Sequence, residues 1–181
     1  MINIPKIKRP KKDIIEKIKN LGSATVSGTL YGMGISNPFI MGPTTKTPGK
    51  SVAGPAITLQ FLPKREDIYN EDEYSDPELQ LHRHALYQTE PGDIVVVDAM
   101  GDMTSGVFGE MMLTFFQGRG GAGVVIDGCI RDFVHAQDLE IGMWLKGVTP
   151  NFHTQTNKYP HAVNVPTVSY THLRAHETIH Y

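Results

Sequence analysis

Two short apolar stretches, separated by one helical segment, constrain the fold more than any other feature of this 181-residue sequence. Residues 91–98 (PGDIVVVD) pass from turn residues into an apolar run, and residues 122–127 (AGVVID) repeat that pattern. Such runs are typical of strands buried on both faces of a parallel sheet. Residues 110–117 between them have helical composition, and residues 101–109 are expected to form a loop. We therefore predict an α/β fold built around a strand–helix–strand unit.

Chemically active residues follow both predicted strands. Gly109 and Glu110 begin the predicted helix after the first strand, and Arg131 and Asp132 follow the second strand. Because the carboxyl ends of parallel strands meet at one edge of a sheet, we expect these residues to share one crevice. The helix start also offers unpaired backbone N–H groups and the positive end of the helix dipole, which together favour anions.

The Arg-Asp pair indicates a particular ligand chemistry. A guanidinium binds a carboxylate through two parallel hydrogen bonds, and an aspartate binds hard divalent cations. Arg131 and Asp132 therefore suit a small 2-oxo acid bound together with Mg²⁺ or Mn²⁺. The alternative interpretation is structural: the two residues form a salt bridge, and Asp132 caps the following helix.

The spacing of these residues resembles that of the RraA-like family, whose enzymatic members are class II pyruvate aldolases called 4-hydroxy-4-methyl-2-oxoglutarate (HMG) aldolases. The family pattern is an acid, twenty intervening residues and Arg-Asp, matched here by Glu110, Arg131 and Asp132. Further matches lie between residues 21 and 167, namely GDIVVVDA, FGEMM, RGGAGVVIDGCIRD, KGVTPNF and VNVP. The usual acid of the family is Asp, so this chain carries a longer carboxylate at that position.

The resemblance implies roles for the candidate residues. Asp132 is expected to bind the metal, and Arg131 to hold the keto oxygen and carboxylate of the substrate. Glu110 is expected to transfer a proton through water on the metal. The backbone amides of the helix start, Gly109, Glu110, Met111 and Met112, are expected to bind the substrate carboxylate.

The resemblance also implies a fold, an activity and an assembly. The fold is a swivelling β/β/α domain, and the reaction is metal-dependent retro-aldol cleavage of 4-hydroxy-2-oxo acids to pyruvate, with oxaloacetate decarboxylation as a related activity. Members of the family form trimeric rings with sites between subunits, so we expect a homotrimer or hexamer.

A second function belongs to the same resemblance. The namesake of the family regulates an RNA-degrading endonuclease by direct contact, so the alternative is a non-catalytic, protein-binding regulator of ribonuclease activity. The presence of Glu110, Arg131 and Asp132 favours the enzyme, because a binding role does not require them.

Composition excludes several other classes of partner. The formal net charge of −2 gives no reason to expect nucleic acid binding. No apolar run approaches the roughly 18 residues of a membrane span, and the basic N-terminus lacks the apolar centre of a signal peptide. The single cysteine, Cys129, excludes an internal disulfide. We therefore expect a cytoplasmic protein with no membrane partner.

The sequence divides into three segments. Residues 1–20 are expected to form an N-terminal arm and an amphipathic helix that packs on the body, and residues 21–167 an RraA-like domain. Residues 168–181 (VSYTHLRAHETIHY) resemble a translated sequencing adaptor, so we expect a C-terminally truncated domain with a non-native tail. The alternative is a divergent C-terminus in which His172, His176 and His180 share one face of a metal-binding helix.

Other histidines are ambiguous in the sequence. His82 and His84 are two residues apart on a predicted helix and cannot easily share an ion, so we interpret them as surface or packing residues. Asn151, His153 and Thr154 lie in a polar loop that either lines the crevice or is ordinary surface.

Overall fold

The computed structural model of the chain describes residues 4–65, 67, 75–168 and 172–173. The strands in this part of the chain are β1 (Thr44–Thr45), β2 (Ala56–Pro63), β3 (Ile94–Gly106), β4 (Gly123–Ile130), β5 (Gly142–Val148), β6 (Lys158–Val163), β7 (Thr167–Val168) and β8 (His172–Leu173). The helices are α1 (Lys12–Lys19), α2 (Ser23–Gly32), α3 (Leu81–Tyr87), α4 (Glu110–Gly118) and α5 (Phe133–Ala136). Two 3₁₀ turns, Pro77–Leu79 and His153–Gln155, complete the regular structure described.

The main sheet has six strands in the order β1-β5-β4-β3-β2-β6. Its four central strands are parallel, and β1 and β6 pair antiparallel at its two edges. Strands β3 and β4 run in register from Ile94 opposite Gly123, and α4 connects them. The predicted α/β fold with its strand–helix–strand unit is confirmed, and the carboxyl ends of β3 and β4 lie side by side.

The core forms where alternate strand residues meet the helices. Val97 of β3 and Ile126 of β4 are fully buried and join one cluster with Leu113 and Phe116 of α4. Helix α4 also contacts α3 and α5, so the three helices pack next to one another. Each large apolar side chain that is fully buried stabilises the fold by about 1.5–3 kcal/mol. The start of α4 is therefore fixed relative to the sheet.

The prediction of a loop over residues 101–109 is wrong for residues 101–106. Strand β3 continues to Gly106, because Asp102 pairs with Gly128 and Gly106 pairs with Cys129 beyond two irregularities in register. Met100 adopts a positive φ of 58°, which bends the strand at the first of these irregularities. The continued pairing holds the segment before α4 against β4.

The amphipathic helix expected within residues 1–20 forms as α1, but it does not pack on the body as expected. No residue of α1 or α2 is buried in the single chain. The preceding arm does attach to the body, since the guanidinium of Arg9 donates to the buried carboxylate of Asp93 at 2.7 Å. Large apolar side chains of this region remain exposed, with Tyr31 at 71% and Phe39 at 69%.

The C-terminal predictions fall mainly outside the described residues. Residues 169–171 and 174–181 are not among those that the structure describes, and they include His176 and His180. His172 lies in strand β8, which pairs antiparallel with β7, and not in a helix. In the segments that the structure describes, no helix has the length and apolar character needed to cross a membrane.

Candidate active site

The start of α4 lies against the end of β4. The backbone N–H of Val107 donates to the carbonyl of Cys129 at 3.0 Å, and that of Arg131 donates to the carbonyl of Phe108 at 2.9 Å. These two bonds continue the pairing of β3 with β4 to the residue before Gly109. The structure thus brings the helix start and the Arg131-Asp132 pair together.

Gly109 is closely surrounded by the Arg-Asp pair. A Cβ atom at this position would lie 2.7 Å from Oδ2 of Asp132 and 3.0 Å from Nε of Arg131. The first distance is too short for a real contact, so any larger residue would displace the carboxylate. Glycine at position 109 therefore leaves the space that Asp132 and Arg131 occupy.

Asp132 has an uncommon backbone conformation and an available carboxylate. Its φ of 58° and ψ of 31° lie in the left-handed region, which Asp tolerates better than most residues. It stands at the N-cap of α5, yet its side chain makes no capping hydrogen bond. The side chain is 47% exposed, and Nε of Arg131 lies 3.6 Å from its Oδ2. The salt bridge of the structural alternative is present, but its side-chain cap is not.

Arg131 is held between an acid and an aromatic ring. Its Cζ lies 5.7 Å from the centroid of the Phe152 ring, within the range of a cation–π contact. Phe152 is fixed in turn by a bridge to Gly106 at the end of β3. The Arg131 side chain as a whole is 39% exposed, which leaves it accessible to a ligand.

A cavity of about 340 Å³ opens in front of these groups. It is lined by Gly109, Met111, Met112, Arg131 and Asp132 of the predicted site, together with Gln80, His82, Arg83, Phe152 and His153. Glu110 differs from its neighbours: its Oε1 accepts a hydrogen bond from Oγ1 of Thr114 at 3.1 Å, along its own helix. Glu110 is thus at the predicted helix start, while its carboxylate faces Thr114.

Two buried histidines form part of the cavity wall. His82 and His153 are 4% and 2% exposed, and their ring centroids lie 4.6 Å apart with an edge-on geometry. Burial is the main cause that lowers the pKa of His82 well below its ordinary value, with smaller contributions from His153 and Arg83. Burial, with the charges of Lys64 and Arg131, lowers the pKa of His153 to about 3. Both rings are therefore neutral at neutral pH.

The sequence indicated some of these wall residues but missed others. His153 lines the cavity, so the first of the two interpretations of the loop at residues 151–154 holds for this residue. His82 is a buried packing residue, as interpreted, and it also lines the cavity. Arg83 and Phe152 were not predicted. No spacing in the sequence marks Arg83, because it reaches the cavity only through the packing of α3 on α4 and β2.

The chemistry of the lining residues fits a hydrated divalent cation. Among the described residues, no group of three or more His, Cys, Asp or Glu side chains is placed to hold a metal ion. Mg²⁺, however, is commonly bound through one or two carboxylates, keeping several waters and adding ligands from the substrate. The uncapped, half-exposed carboxylate of Asp132 meets that requirement, and it is the acidic residue among those that line the cavity.

The fold and the cavity define a small α/β protein with a cavity lined by Arg131 and Asp132 at the carboxyl ends of its parallel strands. The chain belongs to the RraA-like family: the Aldolase/RraA family model matches residues 23–175. The recognition of this family from Glu110, Arg131 and Asp132 is therefore confirmed.

Two curated relatives share part of the sequence. A protein of Halalkalibacterium halodurans, provisionally named 4-hydroxy-4-methyl-2-oxoglutarate aldolase, is 38% identical over 65 residues, which is 36% of this chain and 31% of the relative. A protein of Alkalilimnicola ehrlichii with the same provisional name is 34% identical over 68 residues, covering 38% of this chain and 42% of the relative. The matched segment thus spans less than half of either relative.

Solved structures show the same fold. RraAS2 of Streptomyces coelicolor, described as an unusual member of the RNase ES inhibitor RraA protein family, superposes with a TM-score of 0.80 at 35% identity, covering 89% of this chain and 76% of that chain. The RNA-processing inhibitor RraA of Thermus superposes with a TM-score of 0.60 at 20% identity, covering 83% of each chain, which supports the fold alone.

Proposed function

We propose that this chain is a divalent-metal-dependent lyase that cleaves 4-hydroxy-2-oxo acids to pyruvate and decarboxylates oxaloacetate. The observation that carries the proposal is the carboxylate of Asp132, which makes no capping bond and lies beside the guanidinium of Arg131 at the start of α4. The names of the two curated relatives support the same reaction class.

Substrate binding follows from the groups that line the cavity. The unpaired N–H groups of the first turn of α4 and the guanidinium of Arg131 are proposed to bind the carboxylate next to the keto group. Asp132 would hold Mg²⁺ or Mn²⁺. That ion, when bound, supplies positive charge at the keto oxygen. The neutral His82 and His153 keep the wall beside Arg131 free of further positive charge.

Carbon–carbon cleavage then needs one proton transfer and one stabilised anion. A base removes the proton of the C4 hydroxyl, the C3–C4 bond breaks, and its electrons move to the C2 oxygen as the enolate of pyruvate. Arg131 stabilises the negative charge on that oxygen, and a proton then returns to C3. In oxaloacetate the bond to the distal carboxylate breaks instead, CO₂ leaves, and the same enolate forms.

Glu110 is the proposed proton carrier. Its Oε1 accepts a hydrogen bond from Thr114, and its side chain is not among those that line the cavity. We therefore propose that Glu110 exchanges protons with the substrate through an intervening water. This geometry suits a relay of the proton between the substrate hydroxyl and solvent.

The test is pyruvate release by the purified chain from oxaloacetate and from 4-hydroxy-2-oxo acids, with Mg²⁺ and with EDTA. We expect release with Mg²⁺ and its loss in EDTA. Asp132→Asn, which tolerates the left-handed backbone, should lower turnover about 10²–10³-fold, the usual cost of removing a principal electrostatic stabiliser. Asp138→Asn on the exposed surface is the matched control and should retain wild-type turnover. Metal-independent release, or full activity of Asp132→Asn, would contradict the proposal.

The structural relative from Streptomyces favours a second candidate, a non-catalytic regulator that binds a ribonuclease. A regulator needs a protein-binding surface and has no need of the Arg131-Asp132 arrangement. Binding to an RNase E-type endonuclease, measured by calorimetry together with the inhibition of RNA cleavage, tests this candidate. Binding without any Mg²⁺-dependent pyruvate release would make the regulator the better assignment.

We also propose that the chain forms a homotrimer or hexamer. The support is an apolar surface around α1 and α2, here called the α1–α2 surface, which consists of the exposed side chains Ile14, Leu21, Tyr31, Met33, Ile35, Phe39 and Met41. Large exposed apolar side chains concentrated in one segment of the chain are of the kind found at protein interfaces. A second copy of the chain is the proposed partner.

A further inference from the structure

We infer that the groove between α3 and α4 binds an apolar or aromatic substituent on C4 of the substrate. The proposed lyase would then release an apolar aldehyde together with pyruvate. The inference rests on the proposed function, because it assigns the far end of the same substrate. The name of the two curated relatives specifies a methyl group and a carboxylate on C4, so this substituent is a different one.

The groove adjoins the active-site cavity. It has a volume of about 250 Å³ and is lined by Arg83, Leu86, Tyr87, Met111, Met112 and Phe115. Arg83, Met111 and Met112 also line the cavity in which Arg131 and Asp132 lie, so these three side chains form the border between the two spaces. Methionine side chains are unbranched and flexible, so this border can adapt to a bulky substituent.

The distance from the proposed carboxylate site to the groove fits a substituent on C4. That site is the first turn of α4, and Phe115 lies four residues after Met111 on the same helix. Four residues make about one turn and a rise of about 6 Å, so the two side chains lie on the same helix face. A methyl group on C4 is shorter than this rise, whereas a phenyl or branched alkyl group reaches across it.

The walls of the groove are apolar and fixed by contacts between α3 and α4. The rings of Tyr87 and Phe115 pack edge to face with their centroids 5.7 Å apart. The hydroxyl of Tyr87 donates to Oε1 of Glu78 at 3.2 Å, so the polar end of this side chain already has a partner. The guanidinium of Arg119 donates to the carbonyl of Tyr87 at 3.3 Å and ties the end of α3 to the end of α4. The groove is therefore formed before a ligand binds.

The exposed surface of the groove favours an apolar ligand. Met111 and Phe115 are 65% and 44% exposed, and a ligand that covers them removes apolar area from water. Among the described residues that line the groove, none is acidic, and Arg83 is the charged one. Its Nε donates to Oε1 of Gln80 at 2.6 Å, which orients the guanidinium. Because guanidinium groups stack on aromatic rings, Arg83 suits an aryl group better than an alkyl group.

The reaction then has a defined second product. When C4 carries a phenyl group, the hydroxyl on C4 loses its proton, the C3–C4 bond breaks, and C4 leaves as the carbonyl carbon of benzaldehyde. The electrons of the broken bond form the enolate of pyruvate, which takes up a proton at C3. The cleavage needs no oxidant and no further reactant.

The experiment compares two acids that differ by one group. 2-Oxobutanoate and 4-phenyl-2-oxobutanoate share the 2-oxo acid group, and the second carries a phenyl group on C4. Neither has the 4-hydroxyl that cleavage requires, so calorimetry measures their binding to the chain with Mg²⁺ without turnover. We expect the phenyl acid to bind about 10–100-fold more tightly, which is the effect of burying a side chain of that size.

Variants of Phe115 test the groove itself. Phe115→Ala removes one wall, so it should abolish most of the preference and leave the affinity for 2-oxobutanoate within about twofold. Phe115→Leu keeps an apolar wall, should retain part of the preference, and serves if Phe115→Ala fails to fold. Val134→Ala is the matched control, because Val134 is an exposed apolar residue of α5 and does not line the groove.

The outcomes separate the groove from the proposed function. Equal binding of both acids by the wild-type chain, or a preference that survives Phe115→Ala, would overturn the role of the groove and leave the proposed lyase intact. Equal binding together with a lower assembly mass of Phe115→Ala in light scattering would show that a second copy of the chain fills the groove instead. Less efficient cleavage of 4-hydroxy-4-phenyl-2-oxobutanoate than of 4-hydroxy-2-oxopentanoate, measured as kcat/KM, would also overturn the inference. Failure of the wild-type chain to bind either acid with Mg²⁺ would overturn the proposed function, and this inference with it.

Discussion

At the scale of single residues, Asp132 shows how a local conformation exposes a functional group. Its left-handed backbone removes the carboxylate from the usual capping position, although the residue stands at the N-cap of α5. An Asp in this conformation costs of order 1–3 kcal/mol, so the surrounding structure has to stabilise it. The hydrogen bond from Arg131 N–H to Phe108 and the close approach to Gly109 both hold the residue in place.

The buried histidines predict a pH dependence of stability. The pKa of His153 is about 3 in the folded chain and about 6.5 in the unfolded chain. Below pH 6.5 the unfolded chain therefore takes up a proton at His153 that the folded chain does not. His153 alone should therefore lower the free energy of unfolding by about 2 kcal/mol between pH 7 and pH 5. The loss begins near pH 6.5 and continues towards pH 3. His82, whose pKa is also lowered, adds in the same direction.

Urea unfolding at pH 7, 6 and 5 measures this effect. His153→Gln should flatten the dependence of the unfolding free energy on pH, because the neutral amide does not titrate. His135→Gln, at an exposed histidine, is the control and should keep the wild-type slope. A wild-type slope in His153→Gln would show that His153 has the same pKa in the folded and the unfolded chain, which contradicts the account.

At the scale of elements, the sequence predicted what depends on periodicity and chain order. The apolar runs at residues 94–97 and 123–126 form adjacent parallel strands, and α4 begins at Glu110 as its composition indicated. The parallel arrangement of β3 and β4 was enough to predict that Gly109 lies beside Arg131. These features are local in sequence, or follow from one topological rule.

Features that depend on pairing between distant segments were not predictable. Residues 101–106 lack an alternating pattern, yet they extend β3 because β4 offers them backbone partners. Arg83 and Phe152 reach the cavity from α3 and from the turn before His153, and neither position is encoded by a spacing. The carboxylate of Glu110 turns to Thr114, four residues along the helix, which the family pattern gave no reason to expect.

At the scale of the whole molecule, the α1–α2 surface is the feature that a single chain leaves unexplained. No residue of α1 or α2 is buried, so these helices bury little apolar area in a monomer. The proposed homo-oligomer would account for their exposed side chains. The net charge of −2 offers little electrostatic opposition to such an assembly.

We predict that the purified chain is a trimer or hexamer by light scattering coupled to size exclusion. Phe39→Glu and Tyr31→Glu should each shift it towards the monomer, because a charge in an apolar interface is costly to bury. Gln137→Glu, at an exposed polar position outside the α1–α2 surface, should leave the mass unchanged. A monomeric wild-type chain would contradict the proposed assembly.

The central claim is that Asp132 holds a divalent cation beside a 2-oxo acid bound by Arg131. Its most direct test is Mn²⁺ binding, followed by electron paramagnetic resonance in the presence of 2-oxoglutarate, for the wild-type chain and for Asp132→Asn. The account predicts that the wild-type chain removes the signal of free Mn²⁺ and that Asp132→Asn binds it at least about 10–100-fold more weakly. Equal Mn²⁺ affinity in the two proteins would contradict it.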